Sequence, residues 1–464
     1  LTPATPTTPQ ARGAAALSGR RWLLIFLVLG IGLRVVRWAL AMPVWGDEAM
    51  IGLNIIHRDY RGLLRPLDHF QVAPILWLWT QRAAYDGLGM SEWAVRLPAL
   101  LAGIAALLLF WRWARLLVAP PAATIAVGIA AVAYYVVRHG VELKPYAFDL
   151  LAALALLLPA THYLLGGRRR WLVGLILLTP LCLLGSYPAV FTAGGIFVAL
   201  LPALPRARRS GWVLVGIYGL VLGTSFLAEQ RLYGAGQYQQ TATPMTTYWA
   251  DAFPPLRPGA LLVWLAQIHT GNLFAYPWGG KNGASTASLI LFLLGLWAFR
   301  RQYPGRAAGP LGALLLVPFA LTFLAAAMHR YPYGGSARVS QHLAPAIILM
   351  MGVGAAALLE RLPRSASARR RATQGMCALL LAGGLGYMAQ QVLDPYKTPA
   401  DRDVRESCRN LVTLAGPAGG GRVVVLQPRA TLWPNYQWYL APYGPAVLYD
   451  GWSDPSWRQW PGRL

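Results

Sequence analysis

The chain has 464 residues, of which 56% are hydrophobic and 12% charged, and its 41 Lys+Arg against 17 Asp+Glu leave a net charge of +24. Soluble domains carry about a quarter of their residues charged, and disordered chains lack this hydrophobicity, so both classes are excluded. Nucleic-acid binders place such a charge on a polar surface; here the basic residues are scattered between apolar runs, which is the composition of a polytopic, all-α membrane protein.

Residues 1–20, rich in Pro, Thr and Ala, read as a disordered cytoplasmic tail. The apolar run that follows is too long for a signal-peptide core and lacks a small-residue cleavage site, so it is taken as the first membrane helix. Eleven spanning helices are expected, over about 22–44, 93–118, 122–137, 147–165, 171–186, 188–204, 211–229, 285–300, 308–328, 341–360 and 374–392. The shortest fall below the ~20 residues a span needs, which requires extended ends or a locally thin bilayer. Residues 74–88 are predicted to lie in the interface: Gln81, Arg82, Tyr85 and Asp86 are poor bilayer-centre residues, and a span there would throw the downstream basic clusters onto alternating sides. Residues 260–275 read as a second interfacial or re-entrant segment.

With that assignment the inner segments hold 19 basic residues against one acid, Glu360. The positive-inside rule then puts the N-terminus in the cytoplasm and the C-terminus outside. The domain reading is a tail (1–20), a transmembrane domain (21–392) and a small extracytoplasmic α/β domain (393–464). In the last, helices are expected over Ala400–Leu414 and about Leu432–Leu440, with strands over Arg422–Leu426 and Ala446–Tyr449. Cys182, Cys377 and Cys408 read as free thiols with no metal site. The basic set is 38 Arg and 3 Lys, a bias that reflects base composition rather than chemistry.

Three outer segments carry chemistry-bearing residues. Asp47 and Glu48 adjoin one another directly after the first helix, where crowding raises the pKa of one carboxyl and suits a general base or shared site; the same pair also fits a solvated helix start. Arg138, His139, Glu142, Lys144 and Tyr146 share one tight link: Glu142 offers a further carboxylate and Arg138 and Lys144 offer phosphate contacts, or the link is an interface anchor. His329, Arg330, Arg338 and His342 flank Gly334-Gly335, as a phosphate clamp or as headgroup contacts. Many of the 19 Trp and 21 Tyr lie near outer helix ends, which suits interfacial belts or carbohydrate stacking. No phosphate-binding Gly-rich Lys loop, paired-His zinc spacing, nucleophile elbow or CxxC is present.

In order, Gly46-Asp47-Glu48, Ala73-Pro74-Ile75-Leu76-Trp77, Ser91-Glu92-Trp93-Ala94-Val95-Arg96-Leu97-Pro98 and Glu142-Leu143-Lys144-Pro145-Tyr146 resemble the GT-C superfamily of polytopic glycosyltransferases, which includes protein O-mannosyltransferases and lipid A aminoarabinose transferases. The resemblance covers roughly the first 165 residues, with a weaker match over Arg338 to Pro345. It implies a bacterial inner-membrane enzyme that moves a sugar, with inversion, from a polyprenyl-phosphate donor to a lipid, glycan or protein acceptor on the outer face, with no nucleic-acid partner. It implies catalytic roles for Asp47, Glu48 and Glu142, and donor-phosphate contacts from Lys144, Arg138, Arg338, His342 and Arg330. No metal ligand is assigned; a divalent cation is compatible with such a site but not indicated. One departure stands out: relatives carry a Lys before the Pro-Pro of the interfacial segment, where this chain has Gln71-Val72-Ala73-Pro74, so Lys144, Arg338 or His342 is the expected substitute. A transporter or flippase for a lipid-linked or amphipathic solute is the alternative, and predicts ionisable residues lining an intramembrane path. Only Arg34 and Arg37 sit clearly inside a span, which favours the enzyme.

Overall fold

The structure is a computed structural model and describes residues 9–202, 209–280, 283–303, 308–361, 365–415, 424–427, 433–443 and 447–450. Helix α1 (Pro9–Ala39) leads through Met42-Pro43 into α2 (Gly46–His57), then α3 (Ile75–Leu88). Next come α4 (Glu92–Leu117), α5 (Pro120–Val132), the short α6 (Tyr134–His139) and α7 (Tyr146–Gly166). They are followed by α8 (Arg169–Gly185), α9 (Ala189–Leu200) and α10 (Arg209–Glu229), which runs through a π-turn at Gln230–Gly234 into α11 (Ala235–Tyr248). Then come α12 (Pro258–His269), α13 (Ala284–Gln302), α14 (Ala308–Ala327), α15 (Ala344–Arg361) and α16 (Ala366–Leu393). The C-terminal segment holds α17 (Pro399–Ala415), β1 (Val424–Gln427), α18 (Trp433–Leu440) and β2 (Val447–Asp450).

The chain is a multi-pass membrane protein, but the count of eleven spans is not reproduced. Among the described residues eight helices are long and apolar enough to cross a bilayer. The runs expected at 122–137, 171–186 and 188–204 fold as helices of 13, 17 and 12 residues. At 1.5 Å per residue a 13-residue helix reaches about 20 Å, short of a ~30 Å hydrocarbon core. The physical reason is visible in α5. Every residue from Ala122 to Val132 is buried, so it is an inner helix wrapped by protein rather than lipid. Helix α3, over the stretch 74–88 expected in the interface, has 14 residues and is not among the candidate spans. The apolar helix at 211 does not stop at 229; it continues to Tyr248. Helix α1 already begins at Pro9, so part of the expected tail is helical, while residues 1–8 lie outside the described set.

Small residues allow the closest helix packing. A Cβ on Gly295 of α13 would collide with the Met350 carbonyl of α15, and one on Gly354 with the Leu291 carbonyl of α13. This is the small-residue packing used where lipid supplies no hydrophobic drive between helices. Arg34, wholly buried in α1, donates to the Gly30 carbonyl at 2.8 Å and to the Ala130 and Ala131 carbonyls at 3.4 and 3.5 Å. Those last two carbonyls belong to the C-terminal end of α5, where a cation is favoured. Both Nη groups of Arg34 are thereby held by backbone, while its Nε has no partner among the described residues.

The C-terminal segment closes on the first outer loop. Trp438 packs over Gly52, where a Cβ would approach its ring to 2.5 Å. Asn435 donates to the Val44 carbonyl at 2.8 Å, the Val44 N–H donates to the Tyr439 hydroxyl at 2.7 Å, and Arg405 donates to the Ala41 carbonyl at 2.6 Å. Strands β1 and β2 pair in parallel, Val424 opposite Val447. The intervening residues 416–423, 428–432 and 444–446, with 451–464, lie outside the described residues, and with them parts of the expected strands.

Candidate active site

The two adjacent acids point in different directions. Glu48 is fully buried, with Arg96 donating Nε to its Oε1 at 2.9 Å and Nη2 to its Oε2 at 2.5 Å, while the Leu143 N–H donates to Oε1 at 2.6 Å. A bidentate guanidinium and a backbone donor leave it no free face. Glu48 therefore ties α2 to α4 and to the Glu142 link. Asp47, one residue earlier in the first turn of α2, accepts from Arg338 Nη1 at 2.9 Å on Oδ2. Its side chain is 30% exposed, and its Oδ1 has no hydrogen-bond partner among the described residues. The crowding expected of neighbouring carboxylates is thus relieved by a separate arginine for each.

Arg338 reaches Asp47 from 291 residues away, on a short 3-10 turn (Ala337–Ser340) before α15. It also donates to the Tyr248 hydroxyl at 2.8 Å and lies near the rings of Trp45, Tyr248 and Trp249. Burial works against its charge, but Tyr146, Asp47 and Tyr248 outweigh it and hold the group protonated. Glu142 accepts from Arg138 Nε at 2.9 Å and pairs with His139 Nδ1 at 2.7 Å. Burial opposes ionisation of Glu142, yet its neighbours His139, Arg138 and Arg37 hold it well below the usual carboxylate range. Burial also keeps His139 below the ordinary imidazole value, so the neutral ring donates and Arg138 supplies the lasting positive charge. Lys144 is buried and donates to Gln71 Oε1 at 2.7 Å. Gln71 belongs to the segment that lacks the lysine of similar proteins, so Lys144 brings an ammonium to that place from another loop. Burial lowers its pKa, opposed by Asp47 and Glu48.

Beside these groups lies a small cleft whose lining includes Arg37, Trp45, Glu48, Arg96, Glu142 and Lys397; Asp47, Arg138, Lys144 and Arg338 are not in that lining. The structure does not bring every expected residue there. His342 pairs with Thr322 Oγ1 at 2.9 Å and packs against Phe191 and Tyr331. Arg330 lies over the Tyr238 ring. Sequence reasoning missed three contributors. Arg96 enters it only as part of a motif, Tyr248 as a belt residue, and Lys397 only as one of three lysines. The usable signal for Lys397 is its rarity in a chain with 38 Arg. The donor set does not suit a divalent cation: Asp47, Glu48 and Glu142 are each engaged by a guanidinium, and among the described residues no group of three or more His, Cys, Asp or Glu is placed to hold a metal.

The family of dolichyl-phosphate-mannose-protein mannosyltransferases matches residues 72–227, a stretch containing Arg96, Arg138, Glu142 and Lys144 but not Asp47 or Arg338. The structure of ArnT from Cupriavidus metallidurans bound to undecaprenyl phosphate superposes with a TM-score of 0.56 at 13% identity, over 93% of this chain and 86% of that one. The chain shares the fold of that protein. The oligosaccharyltransferase of Archaeoglobus fulgidus, in complex with zinc and sulfate, gives a TM-score of 0.56 at 12% identity over 90% of this chain. The same organism's AglB, in complex with an inhibitory peptide and a dolichol-phosphate, gives 0.54 at 12% identity over 91%. This chain spans 61% and 63% of those two proteins. No curated protein matches in sequence. In this fold the Asp47–Glu48 pair lies in the first turn of α2, the Glu142 link precedes α7, and Arg338 precedes α15.

Proposed function

We propose that this chain is a membrane glycosyltransferase that moves a sugar from a polyprenyl-phosphate donor to an acceptor hydroxyl on the outer face of the membrane, with inversion. The observation that carries the reading is Asp47: one oxygen is held by Arg338, the other has no hydrogen-bond partner among the described residues, and Lys144 and Lys397 lie within electrostatic range. In this reading Oδ1 of Asp47 takes the acceptor proton. The acceptor oxygen attacks the anomeric carbon as the carbon–oxygen bond to phosphate breaks, and the electron pair leaves with the polyprenyl phosphate. Arg338 and Lys144 stabilise the charge that develops there. Glu142 orients Arg138, and Glu48 positions α2, so neither needs to touch the sugar.

The fold supports this because two proteins that share it have been solved with a polyprenyl-phosphate-type lipid bound, undecaprenyl phosphate in one and a dolichol-phosphate in the other. We read residues 21–392 as the catalytic membrane unit and 393–464 as an extracytoplasmic α/β segment clamped on the first outer loop. Purified protein screened against a panel of polyprenyl-phosphate sugars is expected to transfer one of them. Asp47→Asn, expressed and folded normally, should lose at least ~100-fold of that activity, as expected for removal of a general base. Full activity in Asp47→Asn with the true donor would sink the assignment.

A further inference from the structure

Six cations lie in or around the cleft, and five are already engaged. Arg96 is taken by Glu48 and the Met42 carbonyl, Arg138 by Glu142 and Tyr134, and Arg338 by Asp47 and Tyr248. Lys144 is buried against Gln71, and Arg37 donates to Gln391. Lys397 differs. It lines the cleft, its ammonium is packed on the face of the Trp45 ring, and it makes no ion pair or hydrogen bond among the described residues. All three of its donors are therefore available. The carboxylates there are Asp47, Glu48 and Glu142, with Asp401 within electrostatic range of Lys397, so the six cations still outnumber the four carboxylates and the site suits an anion.

The position is also fixed. Lys397 sits between α16 and α17, and the next residue is anchored: the Thr398 hydroxyl donates to Asp401 Oδ2 at 2.6 Å, and Asn435 of α18 donates to Asp401 Oδ1 at 3.1 Å. Its partner ring, Trp45, lies two residues before Asp47, which sets the ammonium beside the proposed base. We propose that Lys397 contacts the phosphate of the lipid-linked donor, an inference that rests on the reading of the site as a polyprenyl-phosphate glycosyltransferase. The segment following the last membrane helix thereby becomes part of the donor site.

Burial, with Arg138 and Arg338, pushes the Lys397 ammonium down to about 8, against Glu142 and Asp47, which oppose that fall. The other charges facing it are Arg37, Arg96 and Glu48 in the cleft lining and Asp401 of α17. None of these neighbouring residue types ordinarily titrates between about pH 7 and 9, and a phosphate monoester keeps its charge there.

The test uses full-length protein in lipid nanodiscs and measures affinity for a polyprenyl phosphate and for the matching uncharged polyprenol. Lys397→Gln is expected to weaken the phosphate lipid at least tenfold and leave the polyprenol unchanged. Lys397→Arg should stay within threefold of the parent. The parent's affinity for the phosphate lipid should fall as pH rises from about 7 to about 9, and that of Lys397→Arg should not. Phosphate-lipid binding by Lys397→Gln within twofold of the parent overturns the proposal, as does an unchanged pH dependence in Lys397→Arg, which would assign it to Lys144. A parent that binds phosphate lipid no better than polyprenol overturns the donor reading itself, and the role of Lys397 with it.

Discussion

Asp47 and Glu48 are adjacent in sequence and opposite in physical situation. Glu48 is a buried charge with a bidentate partner, so removing either member leaves the other uncompensated. Glu48→Gln or Arg96→Gln is expected to destabilise the protein by about 3–5 kcal/mol, read as a lowered unfolding temperature in detergent, whereas Asp47→Asn should unfold close to the parent. Equal destabilisation by all three would refute the division of roles. Glu142 adds a pH signature. Its folded pKa is depressed, so its contribution is fully present above the ordinary Glu value and is lost only as pH falls through the lower folded one. The stability gap between the parent and Glu142→Gln should therefore stay constant from about pH 6 to 8 and close only in acid below about pH 4. The candidate acids were legible in the sequence because acids are scarce there and sit at helix ends. Which acid faces solvent was not, because that depends on Arg96 and Arg338, 48 and 291 residues away from their partners. His342 shows the converse: its place beside Arg338 in sequence did not carry it into the cleft.

At the level of elements, hydropathy found every apolar helix but not which ones meet lipid. Helix α5 is as apolar as a span, yet its Ala-rich surface is covered on all sides, and only packing reveals that. The continuation of α10 into α11 was hidden for the opposite reason. Residues 235–248 are rich in Gln and Thr, unlike a membrane helix, although helical hydrogen bonding runs on through a π-turn and delivers Tyr248 to Arg338. The contact between α13 and α15 gives the sharpest test at this scale. Gly295 and Gly354 each face a carbonyl of the other helix, so an added methyl must push backbone rather than a flexible side chain. Gly354→Ala is expected to cost about 1–3 kcal/mol, the usual penalty of overpacking. Gly312→Ala in α14, where a Cβ meets nothing, should be neutral in the same melting assay. A neutral Gly354→Ala would mean that the two helices pack less closely than described.

For the whole molecule, the +24 net charge is the widest-reaching feature, and its distribution makes a prediction about which way the cleft faces. On the span assignment read from the sequence, nineteen basic residues and one acid fall on one side, leaving 22 basic residues and 16 acids for the rest of the chain. On that assignment, +18 of the total charge is expected on the side opposite Asp47, Glu142 and Lys397. The positive-inside rule predicts that this side is cytoplasmic. The three native cysteines are all buried, so single introduced cysteines can report sidedness. Ser367→Cys, exposed among Arg361, Arg369, Arg370 and Arg371, should react with a membrane-impermeant maleimide only after the cells are permeabilised. Asp403→Cys, on the exposed face of α17, should react in intact cells. The reversed pattern would place the Asp47 cleft in the cytoplasm. A sugar donor displayed on the outer leaflet could not then reach Asp47, and the charge segregation would have to be explained by anionic lipid or a partner rather than by topology.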